Sequence, residues 1–165
     1  MATSSPDTSF SLRFAIPKDT SLILQMIREL AEFEKLLDEV VADEKTLHKS
    51  LFEDAKAPEV LIAEENGHPV GFVLFFHNFS TFLGRKGIYI EDLYIREEVR
   101  GKGYGEALLK EICKLAKNRN CGRVEWWVLD WNQRAIHFYK KIGAIPMSEW
   151  TVFRVTETAI DHLLH

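Results

Sequence analysis

The stretch from Gly87 to Ala116 constrains this chain more than any other. Gly87-Ile88-Tyr89-Ile90-Glu91-Asp92-Leu93-Tyr94-Ile95 is rich in aromatic and β-branched residues and reads as a strand. Arg100-Gly101-Lys102-Gly103-Tyr104-Gly105 follows as a glycine-rich turn, and Ala107, Leu108, Ile112, Leu115 and Ala116 then recur at helical spacing. Strand, glycine turn and helix in that order point to an α/β fold. Glycines let backbone N–H groups approach a ligand closely, and the helix adds the positive end of its dipole. Such a turn can cradle a pyrophosphate. A flexible surface turn is the plain alternative.

Around this segment the elements alternate. Phe10 to Ile16 reads as a first strand ended by Pro17, and Asp19 or Thr20 can cap a helix striped by Leu22, Ile23, Met26, Ile27, Leu30 and Phe33. A shorter helix starts at Asp43 and buries Leu47 and Leu51. Strands Val60 to Ala63 and Val70 to Phe76 flank Asn66-Gly67-His68-Pro69, a hairpin signal. Arg123 to Leu129 reads as a strand and Gln133 to Ile142 as a helix stopped by Gly143. Val152 to Val155 reads as a last strand before a C-terminal helical turn or two. The expectation is a mixed, strongly twisted α/β sheet flanked by helices. Residues 1–9 are expected to form a disordered tail and residues 10–165 one domain.

Composition removes several classes. Lys+Arg 21 against Asp+Glu 25 gives a formal charge of −4, without the basic excess of a nucleic-acid binder. The two cysteines, Cys113 and Cys121, cannot build a disulfide framework and suit a reducing compartment, so a cytoplasmic protein is expected. Cys113, between Ile112 and Lys114, reads as a small core residue. Among the six histidines, His48, His68, His77 and His137 are scattered, so no metal is expected.

The dinucleotide fingerprint needs a glycine where Glu106 stands, and the P-loop needs Lys-Ser/Thr after Gly105, so both fail. The pattern Arg100, Gly103, Gly105, after a strand carrying Glu91-Asp92, instead resembles the pyrophosphate motif of the GNAT superfamily of N-acetyltransferases. Asp130 to Ala144, with Asn132, Tyr139 and Gly143 in the expected spacing, resembles the superfamily's second cofactor motif. Three upstream segments go further: Ile27 to Leu36, Ser80-Thr81-Phe82-Leu83-Gly84-Arg85, and Ile88 to Asp92. They resemble the spermidine/spermine N1-acetyltransferase family, and above all its thialysine-acetylating branch.

The resemblance implies an acetyl-CoA-dependent transferase acting on a small cationic amine, and a homodimer. Backbone groups of Leu93, Tyr94 and Ile95 would hold the pantetheine arm. Arg100, Gly101, Lys102, Gly103, Tyr104, Gly105 and Glu106 would surround the pyrophosphate, and Asn132, Gln133, Arg134 and Ala135 would flank the cofactor. Glu91 would take the amine's proton directly or through water, Tyr139 would protonate the leaving thiolate, and Phe33, Glu34, Glu91 and Asp92 would meet the substrate. Read from spacing alone, Tyr139 is a core aromatic on an apolar helical face. Glu91 and Asp92 alternate across a strand, and Glu29, Glu32 and Glu34 form the polar side of a helix. A protein-amine or xenobiotic-amine acetyltransferase and a silent acyl-CoA-binding module are the rival readings.

Overall fold

The computed structural model describes residues 9–164, so the expected tail lies, but for Ser9, outside the described residues. By compactness the chain divides into two units, one up to Trp127 and one from Val128.

The first unit holds a five-stranded sheet in the order β1 (Phe10–Phe14), β2 (Glu59–Glu65), β3 (His68–Ser80), β4 (Arg85–Ile95), β5 (Val124–Trp126). The first three pairings are antiparallel and β4 with β5 is parallel, so the sheet is mixed as expected. β2 and β3 are joined by Asn66 and Gly67, both at positive φ (53° and 75°), the geometry a two-residue hairpin demands.

Helices cover both faces. Ile23 and Met26 of α1 (Thr20–Phe33) and Leu51 of α2 (Glu44–Phe52) pack with Val60, Ile62, Phe72, Leu74 and Tyr94. The opposite face carries α3 (Tyr104–Asn118): a side chain at Gly105 would meet Ile95 and Leu93 at 3.8 and 3.9 Å. Leu108 and Ile112 of this helix are fully buried. Cys113 is exposed, which corrects its expected place in the core. One residue beyond Ile112 turns ~100° around the helix, out of the buried stripe.

α1 ends on a left-handed residue that is not glycine. Lys35 has φ 62°, and the N–H groups of Lys35 and Leu36 close on the carbonyls of Glu32 and Ala31 at 3.0 and 2.8 Å. A Cβ in this conformation carries strain. Lys35→Gly is therefore expected to raise stability by ~0.5–1 kcal/mol, read as a higher urea midpoint. An unchanged or lower midpoint would contradict it.

The second unit contains α4 (Gln133–Lys141) and α5 (Glu157–Leu164). No strand forms at Val152–Val155, where the side chains are exposed, so the expected last strand is corrected. Alternation marks a segment fit for a ladder, but a strand exists only against a neighbour. The expected strand from Arg123 to Leu129 is likewise shorter, Val124–Trp126.

Candidate active site

Parallel pairing of β4 with β5 runs through Ile88–Val124, Tyr89–Glu125 and Ile90–Trp126 and stops there. From Glu91 to Ile95, β4 has a ladder partner on one side only, β3, among the described residues. On that open side the β4 backbone has no ladder partner among the described residues, and the Ile95 carbonyl there accepts from Arg100 Nε at 2.9 Å.

The β3–β4 register slips at the same place. Leu74 faces Asp92 and Phe75 faces Ile90, which leaves Glu91 as the extra residue of a bulge. Strict alternation between Glu91 and Asp92 is therefore broken. Glu91 is exposed, while Asp92 is partly buried opposite Leu74, a member of the core against α1 and α2. Burial first, and then the charges of Glu91 and Glu34, push the Asp92 carboxyl up to about 6. Burial also raises Glu34, the C-cap of α1.

α1 is held in place by Arg96, which meets Glu29 through Nε and Nη2 at 3.0 Å each and the Pro69 carbonyl through Nη1 at 3.0 Å. Glu29 is thus a structural partner. Glu34, Glu91 and Asp92 form no ion pair among the described residues.

An aromatic row adjoins the acids. Tyr89 lies 5.3 Å from Phe76 and edge-on to Trp127 at 5.7 Å. Burial and, after it, the charge of Glu91 push its phenol up to about 12. Sequence reasoning passed over this row. Register alone could have found it, since Phe76 pairs with Tyr89 across the antiparallel ladder.

The glycine turn has the form a phosphate cradle needs. Gly101 and Gly103 stand at φ +86° and +85°, and a side chain at either would meet nothing within 4 Å. Gly103 is the N-cap of α3 and has no side chain to cap with, so the first N–H groups of that helix lack an intrahelical partner. Side chains of the motif point elsewhere. Arg100 Nε donates to the Ile95 carbonyl at 2.9 Å, and its guanidinium lies 4.5 Å above the Phe33 ring. Lys102 Nζ is 2.7 Å from Glu65 Oε1, Tyr104 Oη donates to that same oxygen, and Glu106 pairs with Lys110 at 2.7 Å. The turn therefore offers backbone amides and a helix terminus, which suits an anion.

In the second unit, Asn132 caps α4, its side chain accepting from the Ala135 N–H at 3.2 Å. Gln133 reaches back to the Asp130 carbonyl at 2.6 Å, and Arg134 is exposed. Tyr139 is partly buried, 5.4 Å from Phe138.

The model of the acetyltransferase (GNAT) family matches residues 24–144. The chain belongs to this family. As a member it is an acetyl-CoA-dependent N-acetyltransferase with a mixed α/β fold. It is 37% identical over 163 residues to the thialysine N-epsilon-acetyltransferase of Bos taurus, covering 92% of this chain and 95% of that one. With the L-ornithine N5-acetyltransferase of Arabidopsis thaliana it shares 34% identity over 195 residues, 91% of this chain and 86% of that one. An aminoglycoside N-acetyltransferase solved in complex with CoA matches the fold with a TM-score of 0.74 at 10% identity, over 94% of this chain and 99% of that one. No described helix of this acetyltransferase is long and apolar enough to cross a membrane.

Proposed function

We propose that this acetyltransferase moves the acetyl group of acetyl-CoA onto the primary amine of a short cationic substrate, such as thialysine or another diamino acid. The carrying observation is the trio Glu34, Glu91 and Asp92, unpaired with any cation and set where β4 loses its β5 partner. The names of the relatives support the short amine.

In this reading the amides of the turn at Gly101–Glu106 take the pyrophosphate, and backbone of Leu93–Ile95 holds the pantetheine arm. Asn132–Ala135 flank the cofactor. Asp92 and Glu34 attract the substrate's ammonium beside Phe33. A protonated amine is no nucleophile, and its ordinary pKa is ~10.4, so a base must take a proton first. Glu91, the exposed bulge residue, takes it directly or through water. The freed lone pair attacks the thioester carbon, and the tetrahedral intermediate collapses by breaking the C–S bond. Tyr139 gives its phenolic proton to the leaving thiolate, the attacking nitrogen sheds its second proton through water to the phenolate so formed, and the products are the neutral amide and CoA with a free thiol.

The family match crosses from Trp127 to Val128, which supports both units acting as one acetyltransferase domain. The resemblance also supports a homodimer, the two cysteines suit a cytoplasmic protein, and the steps above use residues of one chain only.

Long polyamines carry several charges and call for spaced carboxylates. Glu125, in register with Tyr89 across β4 and β5, is already engaged by Arg123 Nε and Asn78 Nδ2 at 2.8 Å each. Ser80-Thr81 adds no charge. A panel of thialysine, ornithine, lysine analogues, spermidine, spermine and short peptides, read by thiol release, should give the short diamino acids the higher kcat/KM. Spermidine used as well or better would overturn the choice of amine, and absence of thiol release with every amine would leave a silent binding module.

A further inference from the structure

The glycine turn alternates held and open residues. Arg100 is held by the Ile95 carbonyl and Phe33, Lys102 by Glu65, and Tyr104 by Glu65 and by Phe10, on which its ring stacks at 4.3 Å and 8°. Between them stand Gly101 and Gly103 with open space where a side chain would be. Glycines of this kind have the most conformational freedom to lose, so a turn built from two of them is ordered by what grips the residues between and beside them.

On the C-terminal side that grip converges on one atom. Glu65 Oε1 accepts from Lys102 Nζ at 2.7 Å and from the Tyr104 hydroxyl. Glu65 is the last residue of β2 and faces Phe10 in the β1 register. Its neighbour Asn66 ties the same corner to Ser9, by N–H to the Ser9 carbonyl at 2.8 Å and by Oδ1 from the Ser9 N–H at 3.0 Å. The carboxylate thus belongs to the end of an interior strand and grips the turn from outside it. An exposed ion pair contributes little by itself. Here the second donor is Tyr104, which is buried and opens α3. Lys102 and then Tyr104 hold the Glu65 carboxyl below its ordinary range. Paired at 2.7 Å, the charges of Glu65 and Lys102 offset one another, which leaves the backbone amides to meet an anion.

We propose that Glu65 is a positioning residue for acetyl-CoA: by holding Lys102 and Tyr104 on one carboxylate oxygen it fixes the glycine turn in the conformation that receives the pyrophosphate. This rests on the reading that the turn takes that pyrophosphate. Pre-ordering of a binding loop appears as affinity, because the ordering is no longer a cost of binding.

Calorimetry on the full chain tests it with two ligands, acetyl-CoA and S-acetylpantetheine, which lacks the pyrophosphate. In Glu65→Ala the Kd for acetyl-CoA should rise about tenfold, the scale of one charge-assisted contact, while S-acetylpantetheine binds as before. Glu65→Gln keeps an acceptor for both donors and should recover most of the loss. Tyr104→Phe removes one hydroxyl, keeps the stack on Phe10, and should fall between them. It carries the test should Glu65→Ala not fold. Wild-type affinity for acetyl-CoA in Glu65→Ala and Tyr104→Phe, or an equal loss for both ligands, would overturn the proposal. A wild-type protein that binds both ligands equally would instead overturn the reading of the turn.

Discussion

Tyr139→Phe is expected to keep the fold and slow amine-dependent turnover by about 10²–10⁴-fold, the range for loss of a positioned general acid. The ring stays, and with it the packing at 5.4 Å against Phe138 within α4. Only the hydroxyl is lost, so the melting temperature should move little. The thiolate leaving CoA must gain a proton, and a positioned phenolic hydroxyl is a donor that can supply it. Acetyl-CoA binding, read by calorimetry, should survive, since the turn at Gly101–Gly105 is untouched. Turnover at the wild-type rate would return Tyr139 to a plain packing role and move the proton donor elsewhere. The same substitution separates the enzyme from a silent acyl-CoA-binding module, in which no rate would change.

Local signals in the sequence were legible where one short segment contains the whole cause. Asn66-Gly67 demanded its turn, α1 and α3 carried their stripes, and the glycine run announced a turn between strand and helix. What needed a second segment was not legible. Val152–Val155 has strand chemistry but forms none, because alternation cannot say whether a neighbour is present. The bulge at Glu91 exists only relative to β3, and it decides that Asp92 stands at the rim of the core. Glu65 lies far from Lys102 in sequence, so nothing along the chain connects it with the turn. At the site, then, residue types could be named from the sequence and their electrostatics could not. Glu91 and Asp92 read as adjacent acids alternating across a strand, and only the fold shows that burial raises the proton affinity of Asp92.

That difference has a measurable consequence in Asp92→Asn, which should be more stable than the wild type above neutral pH and a poorer enzyme. The Asp92 carboxyl sits at about 6 in the fold against an ordinary 3.8. The folded state therefore binds its proton more tightly than the unfolded state, and the sign follows. Well below pH ~4 both states are protonated and the group costs nothing. As pH rises from ~4 to ~6 the unfolded state ionises first, and stability falls by something on the order of 2–3 kcal/mol. Above ~6 that cost is fully present. Asparagine of the same shape carries no charge to bury, so its advantage should be small at pH 4 and largest at pH 8, read as the difference in unfolding midpoints. In the proposed function the same carboxylate attracts the substrate's ammonium, so kcat/KM for the amine should fall roughly 10–100-fold, the scale of a lost charged hydrogen bond. Acetyl-CoA affinity should hold. In the wild type the amine KM should rise as pH drops below ~6, because protonated Asp92 no longer offers its charge. A variant less stable than wild type at pH 8, or one with undiminished amine efficiency, would contradict the assignment. The charge that the core rim resists is the charge a cationic substrate would relieve.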